Sequence, residues 1–359
     1  MGKTKRIFYY DVLRAIAIIG IVFCHAAGYF VLTGMGKPNF FIAAFFDCFR
    51  DFSIPIFVML SGALLLKRKD SLIDFFKKRL SRLLIPFIFW VFISFIYSSI
   101  YIKHAFDISH FIDILFAAPG TVGVAYWFIW MIIVVYVGIF IINRTIEFGN
   151  LKIENFDKKF ITALTALSVI FILCSQLGVF SSFNSKLFYF VSFLSYIVIG
   201  FFIANNDYVG SKISIDKMII ITFLVSLGLY SYYIFGFVVP KSISANHFVY
   251  KGYFNLLILT LSVNIFVLFK YLSKTKFFIN MEEKNFGKAL ITISKYSFGI
   301  YLCHYIVLNR LKVCLLKYFY NQNPLVWIPI LVILTVSISL LILIILNRIP
   351  YLNKFSGKS

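Results

Sequence analysis

FYYDVLRAIAIIGIVFCHAAGYFV, residues 8–31, is apolar over a length that crosses a bilayer, yet it carries Asp11, Arg14 and His25. At about 100° per residue a helix brings Arg14 and His25, eleven positions apart, to within roughly 20° of each other. Asp11 lies on nearly the same stripe, one turn before Arg14. At about 1.5 Å rise per residue, Arg14 and His25 are separated by roughly 16 Å along the axis. The arginine therefore sits near one membrane surface and the histidine past mid-bilayer. Ionisable groups at that depth are costly and usually face a protein-lined cavity or a partner. A plainer reading is also open. Arg14 can snorkel to the headgroups with Asp11 as its i,i+3 neighbour, and His25 can be a hydrogen-bonded helix contact. The alignment of all three groups on one stripe favours function.

The chain has 359 residues, of which 61% are hydrophobic, 20% aromatic and 14% charged. Its mean hydropathy is +0.92. Such a composition predicts an all-α integral membrane protein, because helices satisfy their own backbone in lipid and the apolar runs are too long for barrel strands. The expected organisation is a single polytopic membrane domain over 1–359 with no C-terminal soluble domain. Ten apolar segments are expected, at about 8–31, 41–66, 84–102, 125–143, 160–180, 187–204, 217–238, 252–272, 289–309 and 326–347. The apolar run at 8–31 continues too long for a cleavable signal and is read as a retained span.

The formal net charge is +21. Nucleic acid is rejected as a partner, because the basic residues sit in short loops between apolar runs, where they set topology and attract anionic headgroups. An even number of spans puts both termini on one side. With both in the cytoplasm, 24 of the 35 Lys and Arg fall on the cytoplasmic side and nine on the other. The five cysteines lie in or beside apolar segments without metal-like spacing and read as structural thiols, and no metal site is expected.

Other charged and polar groups punctuate the spans. Asp47, Arg50 and Asp51 interrupt the second segment ahead of SIPIFVMLSGALLL, either as an exposed helix start or as the charged lining of an outward-facing cavity. Pro55 is positioned to bend that helix, and Ser61-Gly62 permits close helix contact. KRKDSLIDFFKKRLSRLLIPF follows, with Pro86 expected to open the third span. Arg79 and Arg82, at i,i+3, share a face there, and Lys78 and Arg82 are spaced i,i+4. Such a run serves as a positive-inside signal, and its arginine forks also suit a phosphate-binding site. The outer stretch 103–124, with His104 and His110, reads as a loop. Tyr126, Trp127 and Trp130 then form an aromatic belt at the start of the fourth span. Gln176 and Asn264 read as helix-packing contacts. In the ninth segment, SKYSFGIYLCHYIVL sets Ser297, Tyr301 and His304 on one helix face.

Taken together these landmarks resemble the membrane acyltransferase-3 family, integral membrane enzymes that O-acylate cell-surface carbohydrates. Asp11-x-x-Arg14 and the ten residues to His25 resemble the family's first-helix Arg-x10-His signature. IPIFVMLSGALLL (54–66) resembles its Pro-x-Phe-Phe and Ser-Gly segment. KKRLSRLLIPF (77–87) resembles its Arg-x-x-Arg and Pro entry to the third helix, YWFIW (126–130) its Trp-containing fourth-helix start, and SFGIYLCH (297–304) its late Ser-x-x-x-Tyr-Leu-x-His motif. The five occur in the family's order over nearly the whole chain, and the length resembles the stand-alone branch.

The resemblance implies a multi-pass protein of a bacterial cell membrane that takes acetyl-CoA as acyl donor and a carbohydrate hydroxyl as acceptor. On that basis His25 is the expected general base or transient acyl carrier, with Arg14 and Asp11 beside it. Arg79, Arg82 and Lys78 are expected to hold the donor's phosphates. Tyr126, Trp127, Tyr301, His304, Arg50 and Ser61 are expected on the acceptor side or in support. The competing class is a polysaccharide exporter or flippase, which lines a pathway with the same groups but consumes no thioester. Against it, the sequence shows no inverted repeat and no broken-helix pair.

Overall fold

The computed structural model describes residues 6–34, 38–102, 106–151, 155–177, 179–180, 186–206, 213–245, 252–319 and 323–358. Its described residues form helices and turns, as the composition predicts. In order these are α1 (Phe8–Gly34), α2 (Pro38–Asp47), α3 (Phe49–Leu65), α4 (Leu72–Tyr97), α5 (Ile108–Leu115), α6 (Trp127–Asn150), α7 (Phe156–Gln176), α8 (Lys186–Ser192), α9 (Leu194–Asn205) and α10 (Ile213–Tyr233). Next come α11 (Val239–Ala245), α12 (Leu256–Leu272), α13 (Lys276–Glu283), α14 (Asn285–Phe319) and α15 (Pro324–Arg348). Among the described residues nine candidate spans are long and apolar enough to cross a membrane, or ten if α12 and α13, bent by 83° at their junction, count as one. The chain is a multi-pass membrane protein.

Capping residues fix where several helices begin. Ser71 accepts from the Asp74 amide at 3.1 Å and starts α4, so the basic run is helical three turns before the expected span. Pro86 therefore lies inside α4 rather than at its start, where it removes one backbone donor from the ladder. Asp107 caps α5 through the His110 amide at 2.8 Å, so a short amphipathic helix occupies part of the expected 103–124 loop. His104 lies outside the described residues. Asn323 caps α15, with Pro324 in its first turn. Gln176 Oε1 accepts from the Leu256 amide at 2.9 Å at the start of α12, and Asn264 Nδ2 donates to Thr222 O at 3.2 Å. Both are packing contacts, as expected.

The chain divides into two compact units, one of residues 1–69 and 138–294, the other of residues 70–137 and 295–359. In the first unit α1 packs on α2 and α3, and α3 on α9. Its contacts are close because a glycine on one helix meets the backbone or a small side chain of the next. Gly20 of α1 lies against Ser53 of α3. Gly62 of α3 lies against the backbone of Ile197, and Gly200 of α9 against the backbone of Met59. In lipid there is little hydrophobic drive between helices, so such backbone approach is what holds them. At the end of α9, Lys270 Nζ donates to the carbonyls of Ile203, Ala204 and Asn206 at 2.8, 3.0 and 2.8 Å. That buried ammonium supplies the charge and donors that a helix C-terminus lacks.

In the second unit the chain end folds back after α15. Phe355 stacks on Phe89 of α4 with ring centroids 4.5 Å apart, and its carbonyl accepts from Trp90 Nε1 at 3.1 Å. Gly357, at φ +62°, makes the turn beside Gly299 of α14, a conformation that favours glycine.

A methyl group at Gly62 would collide with main-chain atoms of Ile197, whereas one at Gly28 would meet nothing within 4 Å. Gly62→Ala is therefore expected to lower the unfolding temperature of the purified protein, at a cost of about 1–3 kcal/mol. Gly28→Ala is expected to leave it unchanged or higher. Thermal denaturation of the two variants in the same detergent checks this.

Candidate active site

The charged stripe of α1 is built as the sequence predicts, on one unbroken helix. Asp11 is buried and is the hub of a hydrogen-bonded group. Arg6, ahead of the helix, grips it with two nitrogens, with Nη2 to Oδ1 at 2.8 Å. This pairing holds the Arg6 guanidinium above its ordinary pKa. Ser294 of α14 donates its hydroxyl to Asp11 Oδ1 at 2.6 Å. The same hydroxyl accepts from Arg14 Nη1 at 3.1 Å, while Arg14 Nη1 stands 3.6 Å from Asp11 Oδ1. The i,i+3 pair of Asp11 and Arg14 is thus present but loose, and the serine between them supplies the shorter link.

Between Arg14 and His25 the stripe is filled by Ile18 and Ile21, both buried. Arg14 and His25 are each half-buried at its two ends. Gly28 lies one turn beyond His25 on the same stripe and opens on space.

The break between α2 and α3 at Cys48 gathers a second cluster. Asp47 and Asp51 are buried and share the Arg50 guanidinium, with Nη2 3.2 Å from Asp47 Oδ2 and Nε 3.6 Å from Asp51 Oδ1. Cys24 of α1 lies 3.5 Å from Asp47 Oδ1 and 3.6 Å from Arg50 Nη1. Tyr230 of α10 donates to Asp51 Oδ2 at 2.5 Å. Two carboxyl groups share one guanidinium, and the tyrosine hydroxyl and the thiol lie against them as further hydrogen-bond partners. Arg50 is therefore an integral member of a buried polar cluster and not part of an exposed helix start. Ser61, also in α3, turns its hydroxyl back to Phe57 O at 3.0 Å.

In the second unit Arg79 is committed locally. Its Nη2 donates to Asp70 at 2.9 Å and its Nη1 to Phe75 O at 3.1 Å, and its guanidinium lies 4.0 Å from the centre of the Phe75 ring. Lys78 and Arg82 of the same run are exposed. The expected three-residue group is thus divided between one tethered arginine and two cations open to solution.

The aromatic motif residues stitch helices. Buried Tyr126 pairs its hydroxyl with Ser94 Oγ at 2.8 Å and donates toward Leu302 O at 3.0 Å, joining α4 and α14. Tyr301 donates to Ala125 O. His304 is fully buried, with Nδ1 2.6 Å from Tyr301 O and 3.1 Å from Ile300 O. Carbonyl oxygens only accept, so Nδ1 carries the proton and Nε2 presents the lone pair when the ring is neutral. Trp127 is half-buried.

Sequence reasoning missed Arg6, Ser294 and Tyr230. Arg6 counted only as a topology signal. Ser294 lies three residues before Ser297 on the stripe that already carries Tyr301, so helical spacing from the flagged motif reaches it. Nothing local marks Tyr230.

Tyr230→Phe removes one charge-directed hydrogen bond from buried Asp51, which costs about 1.5–3 kcal/mol. The variant is expected to unfold at a lower temperature than the wild type, and an unchanged midpoint would mean that Asp51 takes another donor. Thermal denaturation in detergent reads the difference.

No curated protein and no solved structure matches the chain. The Acyl_transf_3 family model, described as an acyltransferase domain, matches residues 7–344. That span includes every motif described above and nearly the whole length, so the chain belongs to the acyltransferase-3 family and is a membrane acyltransferase.

Proposed function

We propose that the protein moves an acetyl group from cytoplasmic acetyl-CoA to a hydroxyl of a cell-surface or lipid-linked carbohydrate, with His25 as general base or transient acyl carrier. The observation that carries this reading is the α1 stripe. One continuous helix bears Asp11, Arg14 and His25, and both Arg14 and His25 keep part of their surface open while the residues between them are packed.

As a base, the imidazole accepts the proton of the acceptor hydroxyl while its oxygen attacks the thioester carbonyl. The new ester forms, the carbon–sulfur bond breaks, and the CoA thiolate leaves and takes up a proton. As a carrier, the ring nitrogen attacks first and the carbon–sulfur bond breaks, releasing the CoA thiolate; the acceptor hydroxyl then attacks the acyl-imidazole, the carbon–nitrogen bond breaks, and the hydroxyl proton passes to the released imidazole. Acetyl-CoA brings an activated carbonyl and three phosphate groups. Lys78 and Arg82 are exposed cations suited to those phosphates, and Arg79, already bound to Asp70, supports the helix that carries them. Arg14, held by Asp11 and Ser294, suits the donor's approach to His25. Tyr126 and Tyr301 have their hydroxyls bound to neighbouring main chain, which supports a role in shaping the acceptor side over one in the chemistry. Both chain ends are assigned to the cytoplasm by the basic-residue bias, and the membrane is that of a bacterial cell.

His25→Ala is expected to abolish transfer of labelled acetyl from acetyl-CoA to membrane glycans, by about 100-fold or more, in membranes holding normal amounts of the protein. Transfer at the wild-type rate by that variant would remove His25 from the mechanism. Glycan export that continues without any acetyl transfer, in wild-type membranes supplied with acetyl-CoA, would move the assignment to an exporter.

A further inference from the structure

Ser294 opens the stretch SKYSFGIYLCHYIVL but lies ahead of its 297–304 motif, and it occupies a decisive place. Its side chain is fully buried in α14, 283 residues from Asp11. A serine hydroxyl has one hydrogen to give and lone pairs to receive. Here the hydrogen goes to Asp11 Oδ1 at 2.6 Å, and this orients a lone pair to Arg14 Nη1 at 3.1 Å. Asp11 is already gripped by Arg6 and stands 3.6 Å from Arg14, an ion pair beyond hydrogen-bond reach, so the Ser294 hydroxyl supplies the hydrogen bond that links them. An arginine in an apolar helix tends to extend along its stem toward the headgroups. The Ser294 bond opposes this and fixes one nitrogen of the guanidinium, while the Arg14 side chain stays 22% exposed. The hydrogen-bonded group holds two cations to one carboxylate, with Glu282 acting on Arg6 at longer range.

We propose that Ser294 is a positioning residue that presents Arg14 to the anionic acyl-CoA donor. This rests on the donor reading given under Proposed function. Ser294 touches no reacting atom. It acts by holding Arg14 in one orientation before the donor binds, so its loss weakens donor binding and leaves the chemical step intact.

The test uses the full-length purified protein in detergent and two measurements, equilibrium binding of CoA and steady-state kinetics with acetyl-CoA. Ser294→Ala is expected to weaken CoA binding about tenfold and to raise KM for acetyl-CoA by a similar factor, with kcat within about twofold of wild type. Ser294→Thr keeps the hydroxyl and is expected to bind CoA as the wild type does. If Ser294→Ala does not fold, Ser294→Cys, which preserves volume and weakens both hydrogen bonds, carries the same expectation. Arg14→Gln is expected to weaken CoA binding at least as much, and adding Ser294→Ala to it is expected to cost nothing more, since both act through one group. Wild-type CoA binding by Ser294→Ala alongside weak binding by Arg14→Gln would overturn the proposal and leave the donor reading standing. Losses that simply add in the double variant would overturn it as well. Wild-type CoA binding by Arg14→Gln would instead defeat the donor reading on which it rests.

Discussion

A carboxylate placed in an apolar helix has to be neutralised and hydrogen-bonded where it stands, because the desolvation it suffers there is larger than any one partner repays. Asp11 meets that constraint with three side chains from three parts of the sequence: Arg6 ahead of α1, Arg14 one turn along it, and Ser294 in α14. Each partner is thereby fixed as well. The same bonds hold the Arg14 guanidinium beside the carboxylate.

A similar economy runs through the second polar cluster. Asp47, Asp51 and Arg50 occupy the break between α2 and α3, where the helical ladder is interrupted. Tyr230 and Cys24 complete a group that no single helix satisfies. Helices α1, α3 and α9 approach one another through glycine, with Gly20, Gly62 and Gly200 each against a neighbour. Close backbone contact supplies the packing that lipid cannot drive, and it keeps the polar groups within reach of their partners.

Much of this was legible in the sequence, and the limits have a physical origin. Periodicity carries what lies on one helix, so the α1 stripe and the shared face of Ser297, Tyr301 and His304 were readable from spacing. Apolar length carries the spans. Partners across the fold leave no local trace. Ser294 and Tyr230 are ordinary residues in apolar helices until folding sets them beside Asp11 and Asp51. Arg79 looked like one of a cationic trio, but the acidic partner that ties it down, Asp70, lies nine residues away and across the helix start. Pro86 suggested a helix start because proline favours the first turn, whereas the capping serine at position 71 set the start instead.

The most direct test of acyl transfer centred on α1 is a single-turnover measurement with the purified protein in liposomes. Acetyl-CoA is added at less than the enzyme concentration together with a membrane glycan extract as acceptor, and release of the free CoA thiol is followed in wild type and in His25→Ala. The account predicts thiol release from the wild type and none above the uncatalysed rate from the variant. Equal release from both proteins would contradict it.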